Sequence, residues 1–363
     1  MTWGRPPELG DPPGRQDFTH TDPPSWVDAD PALELNPSPS REPEHTAHTA
    51  RQVESATFGD DRMLPQRENS LPAYGWRRLV HQATGGLIRP GPGEAEMRAR
   101  RLVATLTKPI SDSRAIAVVS TKGGVGKTST AINLGHTFAA FRGDRVVALD
   151  ANPEAGSLAY RIRRETKATI LELFVALADE RIHSYADIRR FTSQASSRLE
   201  VIASPKDPRV SRTLAKDDYR QVLDLLRRYF TLILADCGTG ILDPVTQGIV
   251  EACEQLVVVT APSIDAARAV SFLLSWLTEH GYGPLAASAV LVLNAVPPRT
   301  GPVNLAEIER HFAERVRAVV RIPWDRYLGT GGRTTLENLS PATRDAYVHL
   351  AATVADGFAA SAT

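Results

Sequence analysis

Ten consecutive residues could do chemistry together: Ser120, Thr121, Lys122, Gly123, Gly124, Val125, Gly126, Lys127, Thr128 and Ser129. An apolar run, Ala115–Ser120, leads into them, and a helix is predicted from Lys127 to about Phe141. Glycines let main-chain N–H groups turn inward toward an anion, and a helix N-terminus adds its positive dipole end. In that arrangement Lys127 reaches the β- and γ-phosphates of a nucleotide, and the Thr128 hydroxyl binds Mg²⁺. Gly123, Gly124, Val125, Gly126 and Ser129 complete the cradle. A tight glycine turn alone would not need the strand, the Lys-Thr pair and the helix to agree.

A second group lies downstream. Asp236 follows the apolar run Leu232–Ala235 and precedes Cys237, Gly238, Thr239 and Gly240. A carboxylate at a strand end, followed by small residues, suits a Mg²⁺ contact with a mobile loop behind it. Cys237 is read as a small buried residue and His136 as packed or on the surface. Cys237 and Cys253 are the two cysteines, and they form no C-x-x-C, which argues against a cysteine metal site and fits a reducing compartment.

Apolar runs alternating with amphipathic segments must position these residues. Strands are predicted at Ala115–Ser120, Val146–Leu149, Leu199–Ala203, Leu232–Ala235, Gln255–Thr260, Ala289–Leu293 and Arg317–Ile322. Helices are predicted at about Glu94–Leu106, 169–178, 184–192, Asp217–Tyr229, Ile264–His280 and Ala342–Ala359. Such alternation implies an α/β fold: a mostly parallel sheet with helices on both faces. Composition divides the chain further. Residues 1–70 hold 11 of the 26 prolines with 13 acidic and 6 basic side chains, a composition expected of a disordered acidic arm. Residues 71–114 carry 8 basic and 3 acidic side chains, and are expected to be a basic extension, either packed on the main domain or exposed for docking. Residues 115–363 are expected to form the main domain. No apolar run approaches the roughly 20 residues of a membrane span. The opening residues have no apolar signal-peptide core, so a cytoplasmic setting is expected.

The loop departs from the common phosphate-binding pattern: Thr121 stands where the first glycine falls, and Lys122 precedes the glycine pair. This resembles the deviant Walker A motif of the MinD/ParA family of P-loop ATPases, in the SIMIBI class. The resemblance implies that Lys122 crosses a nucleotide-sandwich homodimer to the partner's ATP. It makes Asp150 the first carboxylate of a switch D-x-D and a Mg²⁺ neighbour, with Asn152 at the second position. An amide there can orient a water but takes no proton, so hydrolysis is expected to be slow, with Glu154 as a substitute candidate. It further implies that Asn294 reads the adenine edge and that Pro323 and Asp325 border the base. Over about residues 70–360, Tyr74-Gly75-Trp76-Arg77-Arg78, Arg142-Gly143-Asp144-Arg145-Val146, Asp150-Ala151-Asn152-Pro153, Asp236-Cys237-Gly238-Thr239-Gly240 and the tail Leu350–Phe358 resemble the EspI-like ATPases of ESX (type VII) secretion loci. The expectation is an ATP-dependent dimerisation switch that regulates or assists secretion and contacts secretion proteins. Two alternatives stay open: a ParA-like ATPase whose dimer binds DNA through Arg161, Arg163, Arg164, Arg189, Arg190, Arg310, Arg315 and Arg317, and a non-hydrolysing scaffold. Direct membrane insertion is not expected, because Arg344 is the sole Arg or Lys of the last helix.

Overall fold

In the computed structural model, residues 93–152, 156–207, 209, 214–241, 243–298 and 303–360 are described. The acidic arm, the start of the basic extension with Tyr74–Arg78, and Glu154 lie outside them. The described part of the extension contains helix α1 (Glu94–Leu106), which packs against the last helix of the chain, and a short link from it to the first strand.

The apolar run after Ser113 becomes β1 (Arg114–Ser120), buried along its whole length. A strand buried on both faces needs cover from two layers. Helix α2 (Lys127–Phe141), β2 (Val146–Ala151), α3 (Ile170–Ala178), α4 (Tyr185–Arg189), β3 (Ser193–Gln194) and β4 (Glu200–Ile202) follow. Next come α5 (Lys216–Arg227), β5 (Leu232–Thr239), α6 (Pro244–Ala252), β6 (Gln255–Thr260), α7 (Ile264–Glu279) and α8 (Gly283–Ser288). The chain continues through β7 (Val290–Val296), α9 (Leu305–Ala313), β8 (Ala318–Pro323), α10 (Arg326–Gly329) and α11 (Pro341–Ala360). The eight strands lie in the order β3-β4-β2-β5-β1-β6-β7-β8, parallel except where β3 meets β4 at the edge.

Alternate residues of β1 serve different cores. Ala115, Ala117 and Val119 pack with Leu173 of α3, Leu223 of α5, Ile249 of α6 and Val270 of α7. Ile116 and Val118 pack with Ile132 of α2 and with Leu350 and Val354 of α11. Each such side chain removed from water contributes roughly 1.5–3 kcal/mol before ordering costs. Side-chain oxygens start several helices: Thr169 and Glu172 form a capping box on α3, Asp243 accepts from the Thr246 amide, and Ser263 accepts from the Ala266 amide.

Three strands run further than expected. Asp150 lies within β2, Asn294 within β7, and Asp236 in the middle of β5. The expectation of a loop from Cys237 to Thr239 is therefore corrected. The β1–β5 register shifts between Val118 and Ser120, which lets Ser120 pair with Thr239, and the Gly240 amide then donates to the Ser120 carbonyl at 3.1 Å. Small residues that read as a loop are held as strand by their neighbour. Helices α6, α8 and α9 were not foreseen, being only six to nine residues long. The sheet order places β1 between strands fed from opposite sides, and ligands of open α/β sheets bind outside the strands' carboxyl ends at such a point.

Candidate functional site

A cavity of about 560 Å³ opens there, with the whole stretch from Lys122 to Ser129 in its wall. Gly124 and Gly126 take left-handed φ angles of 76° and 89°. A side chain at Gly126 would also collide: its Cβ would lie 2.0 Å from Asn294 Nδ2. That close approach has a purpose, because Asn294 Nδ2 donates to the Val125 carbonyl at 2.8 Å and ties β7 to the loop. Gly126 then starts α2, with the Thr130 amide donating to its carbonyl at 2.8 Å.

Beneath the loop lies a charge cluster. Lys127 Nζ bonds Asp236 Oδ1 at 2.7 Å, and the Thr128 hydroxyl donates to Asp236 Oδ2 at 2.6 Å. Lys127 and Asp236 are both buried. Asp150 lies beside Asp236 in the β2–β5 register and is wholly buried. It accepts from the Leu158 amide at 3.0 Å and the Asn152 amide at 3.3 Å. Burial first, and the neighbouring Asp236 second, push its carboxyl up to about 7. Two adjacent buried carboxyls share the one Lys127 ammonium, so a divalent cation suits this end of the cavity. Thr128 with Asp236 supplies hard oxygens, which is the donor set Mg²⁺ takes alongside water and phosphate. Neither carboxylate is in the cavity wall itself: Asp236 lies behind Lys127 and Thr128, which are, and Asp150 is engaged with the turn that follows Asn152. Gly156 allows this engagement, since a Cβ there would fall about 2 Å from the Asp150 carboxylate.

Among the other expected residues, Asn152, Asn294, Pro323 and Asp325 all reach the cavity wall. Asp325 has a structural task as well: its carboxylate accepts from the amides of Tyr327 at 2.8 Å, Leu328 at 3.4 Å and Ser340 at 2.9 Å. Lys122 stands half-exposed at the cavity and pairs with Asp265 of α7 in the same chain. Cys237 is buried, and burial pushes its thiol up, so it is inert as a nucleophile. His136 is buried within α2.

The arginines offered for DNA are largely engaged elsewhere. Arg189 pairs with Glu165 and Glu200, Arg190 with Asp187, and Arg310 with Glu307. Arg164 and Arg317 bond main-chain carbonyls, and Arg315 bonds both the Ser271 carbonyl and the Ser275 hydroxyl. Arg161 sits in the wall of the nucleotide-sized cavity. Sequence reasoning also missed Ser157 and Asp265. Neither carries a local signal, since the sheet topology brings them to the site.

Comparison with known proteins agrees with this geometry. Residues 116–330 match the CobQ/CobB/MinD/ParA nucleotide binding domain family (CbiA). The ESX-1 secretion-associated protein EspI of Mycobacterium tuberculosis is 38% identical over 286 residues, which is 78% of this chain and 42% of EspI. The chain thus spans less than half the length of that relative. Among solved structures, a ParA family ATPase from Chlorobium tepidum superposes with a TM-score of 0.57 at 22% identity, covering 66% of this chain and 99% of that one. The septum site-determining protein MinD from Pyrococcus horikoshii, complexed with Mg-ADP, gives a TM-score of 0.53 at 20% identity, covering 66% and 94%. The fold is therefore that of the ParA/MinD P-loop proteins.

Proposed function

The chain belongs to the CobQ/CobB/MinD/ParA nucleotide-binding family, and on that premise we propose that it binds ATP with Mg²⁺ and uses the bound nucleotide to control pairing between two copies of itself, in the service of a type VII secretion system. The observation that carries this reading is Lys122: a half-exposed lysine at the cavity, restrained within the chain by an exposed carboxylate, Asp265. An exposed ion pair is worth about 0–1 kcal/mol, so a γ-phosphate on a facing copy competes for Lys122 readily. Within one copy, Lys127 and the loop amides hold the phosphates, and Thr128 with Asp236 holds the metal. Asn294 and Pro323 border the base. The metal neutralises phosphate charge; the chain's own part is orientation and exclusion of water.

The similarity to EspI supports a role beside ESX secretion proteins, and the protein's partners are sought there. Hydrolysis is slow on this reading, because Asn152 orients a water without accepting its proton. The deciding experiment is mass measurement in solution with Mg-ADP and with a slowly hydrolysed ATP analogue, on wild type and Lys122→Ala. The expected result is a doubled mass for the wild type with the analogue only, and a single-copy mass for the variant in both. A wild type that keeps one mass in both nucleotides would overturn the switch.

A further inference from the structure

Among the described residues, Arg161 is the one arginine in the wall of the cavity that holds Lys122 and Lys127. It ends a short 3-10 turn, Leu158–Arg161, that is fixed at both ends. The Leu158 amide donates to Asp150 Oδ2 at 3.0 Å, and the Thr334 amide donates to the Arg161 carbonyl at 2.8 Å. Leu158, Ala159 and Ile162 are buried, so the backbone that carries the guanidinium is anchored. Its side chain is not comparably committed. Among the described residues its one side-chain hydrogen bond is a long contact, 3.4 Å from Nη1 to the Gly332 carbonyl. Among the described residues it has no carboxylate within ion-pair distance, whereas Lys127 has Asp236 and Lys122 has Asp265. The guanidinium is half-buried: burial opposes its charge, and Asp236 across the site favours it. A half-buried cation with five donors, carried by an anchored turn in the wall of a nucleotide-sized cavity and with no carboxylate in ion-pair reach among the described residues, is suited to a polyanion.

We propose that Arg161 is a phosphate-binding residue: with ATP in the cavity its guanidinium leaves the Gly332 carbonyl and forks onto phosphate oxygens, supplying from the same chain a cation additional to Lys127. This rests on the ATP reading of the cavity and deepens it. It also gives the turn after Asn152 a direct grip on the nucleotide. Because the turn hangs from Asp150 and bonds Thr334, occupation of the cavity would be felt both at the carboxylate pair and in the loop that follows α10.

The test is titration of the full chain with Mg-ATP, for wild type, Arg161→Gln and Arg161→Lys, at several salt concentrations. The unfolding temperature of each nucleotide-free protein is measured alongside. A hydrogen bond to a charged group contributes about 1.5–3 kcal/mol, so Arg161→Gln is expected to weaken ATP binding by about tenfold or more. Its affinity should fall less steeply with salt, Arg161→Lys should recover part of the loss, and the nucleotide-free unfolding temperatures should match. Wild-type ATP affinity in Arg161→Gln, within twofold, would overturn the proposal. So would a loss of affinity that tracks a lowered unfolding temperature and is not repaired by lysine, since Arg161 would then be a loop staple only. Failure of the wild type to bind Mg-ATP at all would instead remove the proposed function on which this rests.

Discussion

His136 lies near the middle of α2, with its ring buried and Nδ1 2.7 Å from the Ser197 hydroxyl. Burial pulls its pKa down from 6.5 to about 4. Between those two values an unfolded chain holds a proton on this ring that the folded chain refuses. Stability therefore falls as pH drops through that window and levels off below it. The expected loss attributable to this residue is on the order of 3 kcal/mol. Urea unfolding midpoints at pH 7 and pH 4.5 should approach each other in His136→Gln relative to wild type. Equal pH slopes in both proteins would show that the ring is not the group responsible. The consequence reaches function, because α2 begins at the phosphate loop and a protonated ring inside it would loosen the helix that carries Lys127 and Thr128.

At the scale of elements, Asp325 decides the shape of the base side of the cavity. Its carboxylate holds three main-chain amides, two in α10 and one at Ser340, just before α11. Asp325→Ala leaves these donors without their acceptor and is expected to cost about 1–3 kcal/mol, with Asp325→Asn costing less. Chemical denaturation of the three proteins checks this, and an unchanged alanine variant would mean that water replaces the carboxylate. The family resemblance places this residue beside the base, and the hydrogen bonds explain how an acid there can matter without touching a nucleotide. What was legible in the sequence follows the same division. The glycine loop as the link from β1 to α2, and the bounds of α2, are legible to the residue, because glycines, lysine and helix start are local signals. Helix α11 was read to within a residue at each end from its apolar composition. The ends of β2, β5 and β7 were not legible, since Asp150, Asp236 and Asn294 resemble terminators and remain in strand because neighbouring strands pair with them.

At the scale of the molecule, the sheet order is what assembles the site. Lys122 and Asp265 are 143 residues apart, and Asn294 meets Val125 across 169. No local pattern announces such pairs, and for the same reason Arg161 read as surface charge until the fold placed it. A cavity walled by residues from so many strands links ligand binding to global stability. Mg-ATP at about 100 times its dissociation constant should add roughly 2.7 kcal/mol, raising the unfolding temperature by roughly 5–10 °C. Omitting Mg²⁺ should shrink that rise, and melting curves that coincide with and without Mg-ATP would contradict nucleotide binding in this cavity.

The bond from the Gly240 amide to the Ser120 carbonyl, together with the Ser120–Thr239 pairing, ties the end of β1, where the glycine loop starts, to the end of β5. A displacement of the glycine loop would therefore strain the end of β5 with it, since the two backbones share this ladder.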